Sequence, residues 1–555
     1  MMISSNTSAF AANRSTAARA AGKSEAPQSE SAPVADQVQL GGGGAEVAPG
    51  LFRQAIPGSF IVKADPSEMA SLQSSGANVE KVLGEAGDST YLLVQAPEGN
   101  VASLEESFTE VMPNYQYSGN VYDDPIASDA APQNAPSGRP RHLDIINIEP
   151  AWAVTKGSPE AVTAITDGGV DLKHPELQDS LWQNPGEIAG NGKDDDGNGK
   201  IDDVHGWDFT DVDGEPGHGG SYHHTHVHGI SHAREGSSGA TGVAPGAKSM
   251  ALRIDGGRKA YSSALVAEAY LYAMNEGAKS VNTSYNIDGF PGDKAIESTY
   301  RTLADNDVLV FNSAGNSGRL NPARTVFEDI VLVASTDTAE ASVDKRSSFS
   351  NYGVGIDIAS PGKDIMSTLP DGKVGPLSGT SMASPGAMGL HALVQSAHPE
   401  WNREQRWAQI AGTADNIDAK NPTEAGLFGG GRINAGRALT ETVAAPTISV
   451  KEAKNPNGGT TKLTVRFDKV LDTKSANTQE AWQVVNDKGE VVLQGAPKEI
   501  RLLTNQFDIN VGTLPAGKYE FVASADVLKD PFGQALDGDK DGKAGGNFTQ
   551  KFEVK

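Results

Sequence analysis

The chain has 555 residues, no cysteine, 71 acidic side chains and 46 basic ones, which leaves a formal net charge of −25. A chain of this length exceeds the roughly 100–200 residues of one compact domain, so we expect two or three folded units. The lack of thiols excludes a disulfide scaffold, a cysteine-ligated metal site and a cysteine nucleophile, and the negative charge argues against nucleic acid as a partner.

The N-terminal part predicts a leader followed by a small folded unit. Residues 1–50 are rich in Ala, Ser, Gly and Glu, and this composition cannot bury enough apolar surface to offset ordering entropy, so we expect disorder. No secretory signal is evident there, because a positively charged start with an apolar stretch after it is lacking. Strand patterns at Phe60–Lys63 and Tyr91–Val94, with a helical pattern over Val101–Val111, predict an α+β domain over residues 51–120.

The remainder of the chain predicts a linker and two larger units. Residues 121–141, rich in Pro, Ala, Ser and Asp, are expected to form an exposed linker and processing region. Over residues 142–441, apolar runs such as 161–165 alternate with helical patterns such as 263–276, which predicts an α/β fold with a parallel sheet and helices on both faces. Alternating strand patterns without helices predict a β-sandwich over residues 445–555. No apolar run reaches the ~18 residues of a membrane span.

Three segments in the α/β region contain the residue types needed for nucleophilic acyl transfer. In chain order they supply an Asp in 165–170, a His in 223–229 and a Ser in 378–385. A Ser hydroxyl is a weak nucleophile until a His takes its proton, and the His needs a carboxylate to fix its tautomer. An Asn in the segment 313–316, at the end of another apolar strand, offers a side-chain N–H to a tetrahedral oxyanion.

These segments resemble the subtilisin-like serine proteases (subtilases), and the similarity covers roughly residues 142–441. The supporting stretches are Gly242–Pro245, Phe349–Gly353, Ala359–Gly362 and Gly429–Ala435. The resemblance implies that Asp167 orients the base, His223 is the general base and acid, and Ser381 is the nucleophile. It also implies an oxyanion hole from Asn316 and the Ser381 backbone N–H. The residues that it places along the substrate cleft are Ser284, Tyr285, Asn286, Ala314 and Gly315.

Departures from the family pattern motivate a rival function. Gly168 stands where Ser or Thr is usual, His224 and His228 replace small residues, and Asn286 replaces a Gly in the cleft segment. Overpacking a tightly packed helix costs about 1–3 kcal/mol per site. The alternative to an active enzyme is therefore a catalytically inactive subtilase homologue that serves as a binding or adhesion protein.

Histidines are concentrated around the predicted general base, since six of the eleven lie between His218 and His232. On a helix that begins near His223, the residues His224, His228 and His232 lie four apart on one face. Imidazoles four residues apart can bind Zn²⁺, Ni²⁺ or Cu²⁺. A packed or solvated histidine face is the simpler interpretation, and a transition-metal site is the alternative.

Two acidic loops have the spacing of calcium ligands. Asn191–Asp203 places side-chain oxygens at alternate positions from Asp194 onward, with Gly199 at the sixth position, like the start of an EF-hand loop, although His205 replaces the Glu expected at position twelve. Residues 187–215 contain ten acidic side chains and only two lysines, and without a bound cation the acidic side chains would repel one another. A solvated acidic loop is the alternative. The predicted ligand positions are Asp194, Asp196, Asn198, Lys200, Asp202 and Asp203, and in the second loop Asp537, Asp539, Asp541 and Lys543.

The flanking units complete the expected function. Val111–Tyr115 is similar to the terminal motif of the inhibitory propeptides of subtilases, which implies that residues 51–120 assist folding and occupy the cleft until self-cleavage. The C-terminal unit looks like a bacterial immunoglobulin-like module, either for docking or as a stabilising appendage. We therefore expect a monomeric, calcium-stabilised and self-processing serine endopeptidase (class EC 3.4.21) that acts on proteins or peptides. Its expected location, outside the cell or on the cell surface, follows from the resemblance.

Overall fold

The structure, a computed structural model, describes residues 44–119, 126–127, 139–217, 219, 221–236, 239–255 and 260–555. Most of the predicted leader, much of the predicted linker, and His218 lie outside the described residues. In the ranges just given, no helix has both the length and the apolar character needed to cross a membrane.

The N-terminal unit is an antiparallel sheet of five strands with two short helices. Its elements are β1 (Ala45–Ala48), β2 (Leu51–Ala64), α1 (Leu72–Ser75), β3 (Asn78–Ala86), β4 (Ser89–Gln95), α2 (Val101–Ser107) and β5 (Glu110–Gly119). The strand order is β5-β2-β4-β3, with β1 beside β2. Apolar side chains from β2, β4 and α2 form its own small core, with Val62, Leu92 and Leu104 fully enclosed.

Two boundaries in this unit differ from the sequence-based expectation. Disorder was expected through residue 50, but β1 pairs with β2 and buries Ala48, so residues 45–48 belong to the folded unit. The helical pattern over 101–111 ends at Ser107, because Phe108 is extended and β5 begins at Glu110. Pro113 cannot continue a helix, and pairing with β2 provides hydrogen-bond partners for the backbone instead.

The α/β unit contains eleven strands and eight helices within the described residues. They are β6 (Ile126–Ala127), α3 (Arg141–Ile145), α4 (Ile148–Val154), β7 (Val162–Asp167), β8 (Gly206–Asp208), α5 (His223–His232), β9 (Lys248–Arg253), β10 (Ala260–Ser262), α6 (Ser263–Asn275), β11 (Ser280–Thr283), α7 (Lys294–Asp305), β12 (Leu309–Ser313), β13 (Ile330–Thr336), β14 (Ile358–Pro361), β15 (Ile365–Leu369), β16 (Lys373–Ser378), α8 (Thr380–Ala397), α9 (Arg403–Gly412) and α10 (Ala435–Thr440). Seven of these strands form the main sheet, in the order β14-β13-β12-β11-β7-β9-β8. All neighbours in that sheet pair in parallel.

Helices cover both faces of this parallel sheet, and the predicted fold class is confirmed. Successive side chains of a strand point to opposite faces. Accordingly, Ala164 of β7 belongs to the buried cluster that includes α6 and α7, whereas Ile165 belongs to the cluster that includes α5 and α8. Strands buried on both sides read as continuous apolar runs, which is why their pattern resembles neither a surface strand nor a surface helix.

The C-terminal unit consists of two antiparallel sheets packed face to face, as the sandwich prediction requires. Its elements are β17 (Ile448–Lys454), β18 (Thr460–Phe467), α11 (Thr473–Ala476), β19 (Trp482–Asn486), β20 (Val491–Gln494), β21 (Gln506–Asn510), β22 (Gly517–Ala523) and β23 (Phe548–Val554). One sheet has the order β17-β18-β21 and the other β20-β19-β22-β23. The rings of Trp482 and Phe507, one from each sheet, lie 4.9 Å apart in the core.

The sandwich is joined to the α/β unit by apolar and ionic contacts. Leu502 and Leu503 belong to the same buried cluster as Trp407 of α9. Arg501 pairs with Asp329 across the boundary, and the rings of Trp401 and Phe532 meet edge to face at 5.1 Å. The two units therefore share apolar core in addition to the connecting chain.

Candidate active site

The sheet brings three of the predicted site segments to one edge. Asp167 ends β7, Ser284 follows β11 and Ala314 follows β12, and these three strands are neighbours that pair in parallel. Because parallel strands end at the same edge of a sheet, the side chains that follow them converge there. His223 and Ser381 reach this edge from the first turns of α5 and α8.

Asp167 and His223 form a buried, charge-assisted pair. The Nδ1 atom of His223 lies 2.7 Å from Oδ2 of Asp167, and the Gly168 N–H donates to Oδ1 at 2.6 Å. Burial by itself would raise the pKa of the Asp167 carboxyl, but the charge and hydrogen bond of His223 outweigh it, so that this pKa is lowered from its ordinary value. The carboxylate is thus ionised and able to hold a proton on Nδ1 of His223.

Ser381 lies in the first turn of the eighteen-residue helix α8, near the positive end of the helix dipole. Its Oγ donates to the Ser284 carbonyl oxygen at 3.2 Å. Oδ1 of Asn316 accepts from the N–H and the hydroxyl of Thr380, at 2.9 and 2.8 Å. These two bonds fix the Asn316 amide so that Nδ2 points away from Thr380.

The predicted cleft residues occupy different environments. Ser284 and Ala314 are fully buried beside the nucleophile helix and the neighbouring strand end. The side chain of Tyr285 is also fully buried, and its hydroxyl lies 2.5 Å from that of Tyr270, so this side chain belongs to the core beneath the cleft. Gly315 has φ +96°, and a Cβ there would lie 2.4 Å from Nδ2 of Asn351, which explains the glycine.

A buried arginine explains Asn286, which stands where the family pattern has glycine. Arg324 Nη2 donates to Oδ1 of Asn286 at 2.6 Å, and its Nε donates to Asp288 at 2.7 Å. Its Nη1 donates to the Ser313 carbonyl at 2.6 Å. Arg324 is fully enclosed, so Asn286 and Asp288 supply acceptors that a buried guanidinium requires. Sequence analysis missed Arg324, because no spacing or motif connects it with residues 286–288.

The histidines of α5 form a buried ladder behind the catalytic edge. The ring centroids of His224 and His228 are 6.4 Å apart, those of His228 and His232 are 5.8 Å apart, and all three side chains are fully enclosed. His224 Nδ1 accepts from the Gly169 N–H at 3.1 Å. His228 and His232 each place Nε2 near a hydroxyl, at 3.2 Å from Oγ of Ser180 and 3.3 Å from Oγ1 of Thr163. Small polar neighbours therefore accommodate side chains that the sequence suggested would overpack the helix.

Burial controls the charge of this ladder. It lowers the pKa of His224 from 6.5 to about 4 and the pKa of His232 to about 3. Burial, together with the neighbouring histidines, places the pKa of His228 well below 6.5. The three rings are accordingly neutral at pH 7. Among the described residues, the groups whose ligand atoms lie within 4.8 Å of one another are made of carboxylates, and these histidines do not form such a group.

The first acidic loop brings part of its predicted ligand set together. Carboxylate oxygens of Glu187, Asp194 and Asp196 lie within 4.8 Å of one another, and Glu187 was not predicted from the sequence. The Asp202 carboxylate accepts instead from two backbone N–H groups of the loop. Asp203 is buried and accepts from Nδ2 of Asn198 at 3.0 Å.

Each acidic loop contains a lysine at a predicted ligand position. Lys200 Nζ lies 2.9 Å from Glu268, outside the acidic loop. In the second loop, carboxylate oxygens of Asp537, Asp539 and Asp541 also lie within 4.8 Å of one another. The Lys543 N–H donates to Asp541 at 2.9 Å, which closes that loop. Both groups offer hard oxygen donors of the kind that suit Ca²⁺.

Backbone pairing joins two segments from the first 127 residues, β5 and β6, to strands of the α/β unit. Residues 116–118 of β5 pair antiparallel with β10, immediately before α6. Residues 126–127 pair antiparallel with the end of β16, directly before the first turn of α8. Asn114 Oδ1 accepts from the Ala264 N–H at the start of α6, and the Tyr117 hydroxyl donates to Asp293 at 2.6 Å.

Comparison with known proteins gives matches to the α/β unit and to the fold. The sequence model described as "Subtilase family" matches residues 159–431. A "Thermophilic serine proteinase" of Bacillus sp. (strain AK1) is 34% identical over 294 residues, which are 52% of this chain and 64% of that protein. "Thermitase" of Thermoactinomyces vulgaris is 32% identical over 296 residues, which are 53% of this chain and 93% of that protein.

A solved structure resembles a longer part of the chain. Fervidolysin from Fervidobacterium pennivorans, described as a keratinolytic enzyme related to subtilisin, aligns with a TM-score of 0.55. The alignment covers 90% of this chain and 76% of that chain, at 17% sequence identity. At this identity the likeness concerns the fold.

Proposed function

The chain belongs to the subtilase family, and from this premise we propose that it is a serine endopeptidase that cleaves peptide bonds through an acyl-enzyme at Ser381. The observation that carries the proposal is the 2.7 Å contact between His223 Nδ1 and Asp167 Oδ2 at the strand edge where α8 begins. Asp167 would keep the proton of His223 on Nδ1, so that Nε2 can take the proton of Ser381 Oγ. The resulting imidazolium would be stabilised by the buried carboxylate.

Charge on the tetrahedral intermediate would be stabilised from two directions. The Asn316 amide, held by Thr380, and the backbone N–H of Ser381 would donate to the oxyanion, and the start of α8 adds a favourable dipole. Collapse of this intermediate breaks the peptide C–N bond, and His223 returns the proton to the leaving amine. Water then hydrolyses the acyl-enzyme by the same steps in reverse roles.

We propose further that the protein is a precursor that removes its own N-terminal unit. The pairing of residues 116–118 with β10 and of residues 126–127 with β16 supports this, because the chain contacts both sides of the catalytic edge. A peptide substrate would replace β5 as the strand added to β10. The proposal includes a location outside the cell or on its surface, which rests on the family resemblance.

A single variant tests both activity and processing. We expect an alkyl fluorophosphonate to label the wild type and the wild type to lose its N-terminal unit. Ser381→Ala should remain unlabelled and at full length, because the reacting oxygen is absent. Added wild-type enzyme should cleave the variant in the linker region, which shows that the variant is folded and cleavable. An unlabelled wild type would favour the catalytically inactive homologue, and a variant that processes itself would contradict self-cleavage at Ser381.

Calcium is proposed as a stabilising ion at the two acidic loops. The oxygens of Glu187, Asp194 and Asp196 could hold one ion, and those of Asp537 and its two neighbouring acids in the loop a second. A bound cation would relieve the repulsion within each group. Neither ion would take part in cleavage of the peptide bond.

Calcium should raise the stability of the folded chain through these loops. With free Ca²⁺ at 100 times its dissociation constant, one site adds about 2.7 kcal/mol to the free energy of unfolding. Thermal unfolding of the Ser381→Ala protein, with Ca²⁺ and with EDTA, measures the effect. Asp194→Asn should remove the part of the calcium-dependent stabilisation that comes from the first loop. Asp539→Asn should remove the part that comes from the second loop. Asp371→Asn, an exposed acid outside both loops, serves as the control. An equal calcium response in all variants would contradict both sites.

A further inference from the structure

We propose that Ser284 is a positioning residue that holds the nucleophile Ser381 at two points. This inference rests on the proposed function. The Ser284 hydroxyl donates to the carbonyl oxygen of Ser381 at 3.1 Å, and the Ser381 hydroxyl donates to the carbonyl oxygen of Ser284 at 3.2 Å. The two residues therefore exchange hydroxyl-to-carbonyl bonds between the end of β11 and the start of α8, and both are fully buried.

The helix itself explains why the Ser381 carbonyl needs an outside donor. In an α-helix this carbonyl would accept the N–H of the residue four positions later. That residue is Pro385, which lies inside α8 and has no N–H. A buried carbonyl without a donor costs free energy comparable to a lost hydrogen bond. The Ser284 hydroxyl supplies the donor that Pro385 lacks.

A second hydrogen bond directs the single proton of the Ser284 hydroxyl. Asn282 Nδ2 donates to Oγ of Ser284 at 2.9 Å, so this oxygen already receives one proton. Its own proton is therefore available for the Ser381 carbonyl. Oδ1 of Asn282 in turn accepts from the Ser384 hydroxyl at 2.7 Å. The side chains of Asn282, Ser284 and Ser384 are therefore linked by hydrogen bonds, and this network connects β11 with the start of α8.

This hydrogen-bond network affects catalysis because the first turn of α8 contains two groups that take part in the reaction. Ser381 contributes Oγ as the nucleophile and its backbone N–H to the proposed oxyanion hole. Without the Ser284 hydroxyl, the turn would lose the hydrogen bond that fixes the carbonyl group of Ser381, in the peptide group that joins Ser381 to Met382. Both groups would then occupy the productive arrangement less often, which lowers the rate of acylation more than the binding of substrate.

The test is a double-substitution cycle with Ser284→Ala and Pro385→Ala. Ser284→Ala should lower kcat and the rate of fluorophosphonate labelling about tenfold, with KM within about twofold of wild type. The pH profile of kcat should be unchanged, because His223 and Asp167 are unaffected. Pro385→Ala restores an N–H at the position that faces the Ser381 carbonyl. In the Pro385→Ala background, Ser284→Ala should therefore cost less than about threefold.

The wild type, the two single variants and the double variant are also compared by their thermal unfolding midpoints, so that the result does not depend on activity. Ser284→Ala should lower the unfolding midpoint by about 2–4 °C in the wild-type background and by less in the Pro385→Ala background. Ser396→Ala, which removes a hydroxyl bonded to Ala392 within the same helix, should leave kcat unchanged. Equal losses from Ser284→Ala in both backgrounds, or no loss in kcat, would overturn the inference. A wild type that is not labelled would refute the proposed function, while the unfolding cycle would still decide on the hydrogen bond.

Discussion

Replacing Asp167 with Asn is expected to lower kcat by about 10⁴-fold, equivalent to about 5.5 kcal/mol of transition-state stabilisation. The reason is the fixed orientation of the side chain. The Gly168 N–H donates to Oδ1 of Asp167 at 2.6 Å, and this donor will keep the carbonyl oxygen of an Asn on its own side. The Asn NH₂ group must then face Nδ1 of His223.

An NH₂ group in that place reverses the role of the imidazole. Nδ1 of His223 becomes an acceptor, so the proton of the neutral ring moves to Nε2. Nε2 can then no longer take the proton of Ser381. The fold is preserved because the amide has the size of the carboxylate and keeps both hydrogen bonds.

Steady-state hydrolysis of a peptide substrate and the rate of fluorophosphonate labelling measure this effect. Asp357→Asn is a matched control, because Asp357 is also buried and accepts a backbone N–H, from Leu332 at 2.8 Å. Burial raises the pKa of Asp357 well above its ordinary value, so the surroundings of this side chain favour an uncharged group such as the Asn amide. The control should keep wild-type activity. Retention of more than a tenth of the activity by Asp167→Asn would contradict the role assigned to Asp167.

The histidine ladder is expected to make the protein unstable in mild acid. Each ring of His224, His228 and His232 has a folded-state pKa below its ordinary 6.5. As the pH falls below 6.5, the unfolded chain binds protons that the folded chain refuses. Stability is therefore complete above pH 6.5 and is lost as the pH falls, by up to about 1.4 kcal/mol per pH unit for each ring.

At pH 4.5 the rings of His224 and His232 would together cost about 5 kcal/mol, which approaches the whole stability of many domains, and His228 adds to this loss. Other groups adjust the total. The Asp167 charge favours protonation of His224, whereas His223 opposes it. His174 and the other two rings of the ladder oppose protonation of His228. Three further buried histidines outside the ladder, His142, His226 and His391, also have lowered pKa values and add to the loss.

Denaturant unfolding between pH 4.5 and 7.5, in the Ser381→Ala background to prevent self-digestion, measures this dependence. His228→Ala should reduce the slope of unfolding free energy against pH by about 1.4 kcal/mol per unit below pH 6.5. The slope is the readout because a cavity changes stability equally at every pH. Val227→Ala, which removes a buried apolar side chain from the same helix and no titratable group, should leave the slope unchanged. An unchanged slope in His228→Ala would show that this ring does not titrate as described.

The sequence allowed the fold class to be predicted because its signals are local and repeated. Apolar runs alternate with helical patterns over the α/β unit, and short motifs mark the strand ends where Asp167, Asn316 and Ser381 are found. The roles of these residues stay predictions. Parallel pairing of β7, β11 and β12 brings the segments that contain Asp167 and Asn316 to one edge, and Ser381 reaches this edge from the first turn of α8. Local patterns failed where tertiary pairing decided the outcome, as at residues 108–111.

Other features depended on contacts between distant positions. His224 suggested a clash, yet its ring accepts the N–H of Gly169, fifty-five residues earlier. Asn286 suggested an altered cleft, yet it serves Arg324, thirty-eight residues later. Glu187 joins an acidic loop whose predicted ligands began at Asp194. In each case the partner has no recognisable spacing in the sequence, so only the folded chain identifies it.

The place of Leu502 and Leu503 has a consequence for how this architecture could have arisen. These residues belong to the sandwich by sequence but to the α/β core by packing, beside Trp407. A gene encoding the α/β unit alone would expose that apolar surface, so a sandwich added late in evolution would have required matching changes on α9. Recombination at the residue 445 junction would then remove Leu502 and Leu503 from the buried cluster that contains Trp407. The α/β unit and the sandwich are therefore expected to evolve together, even though the sequence suggests interchangeable domains.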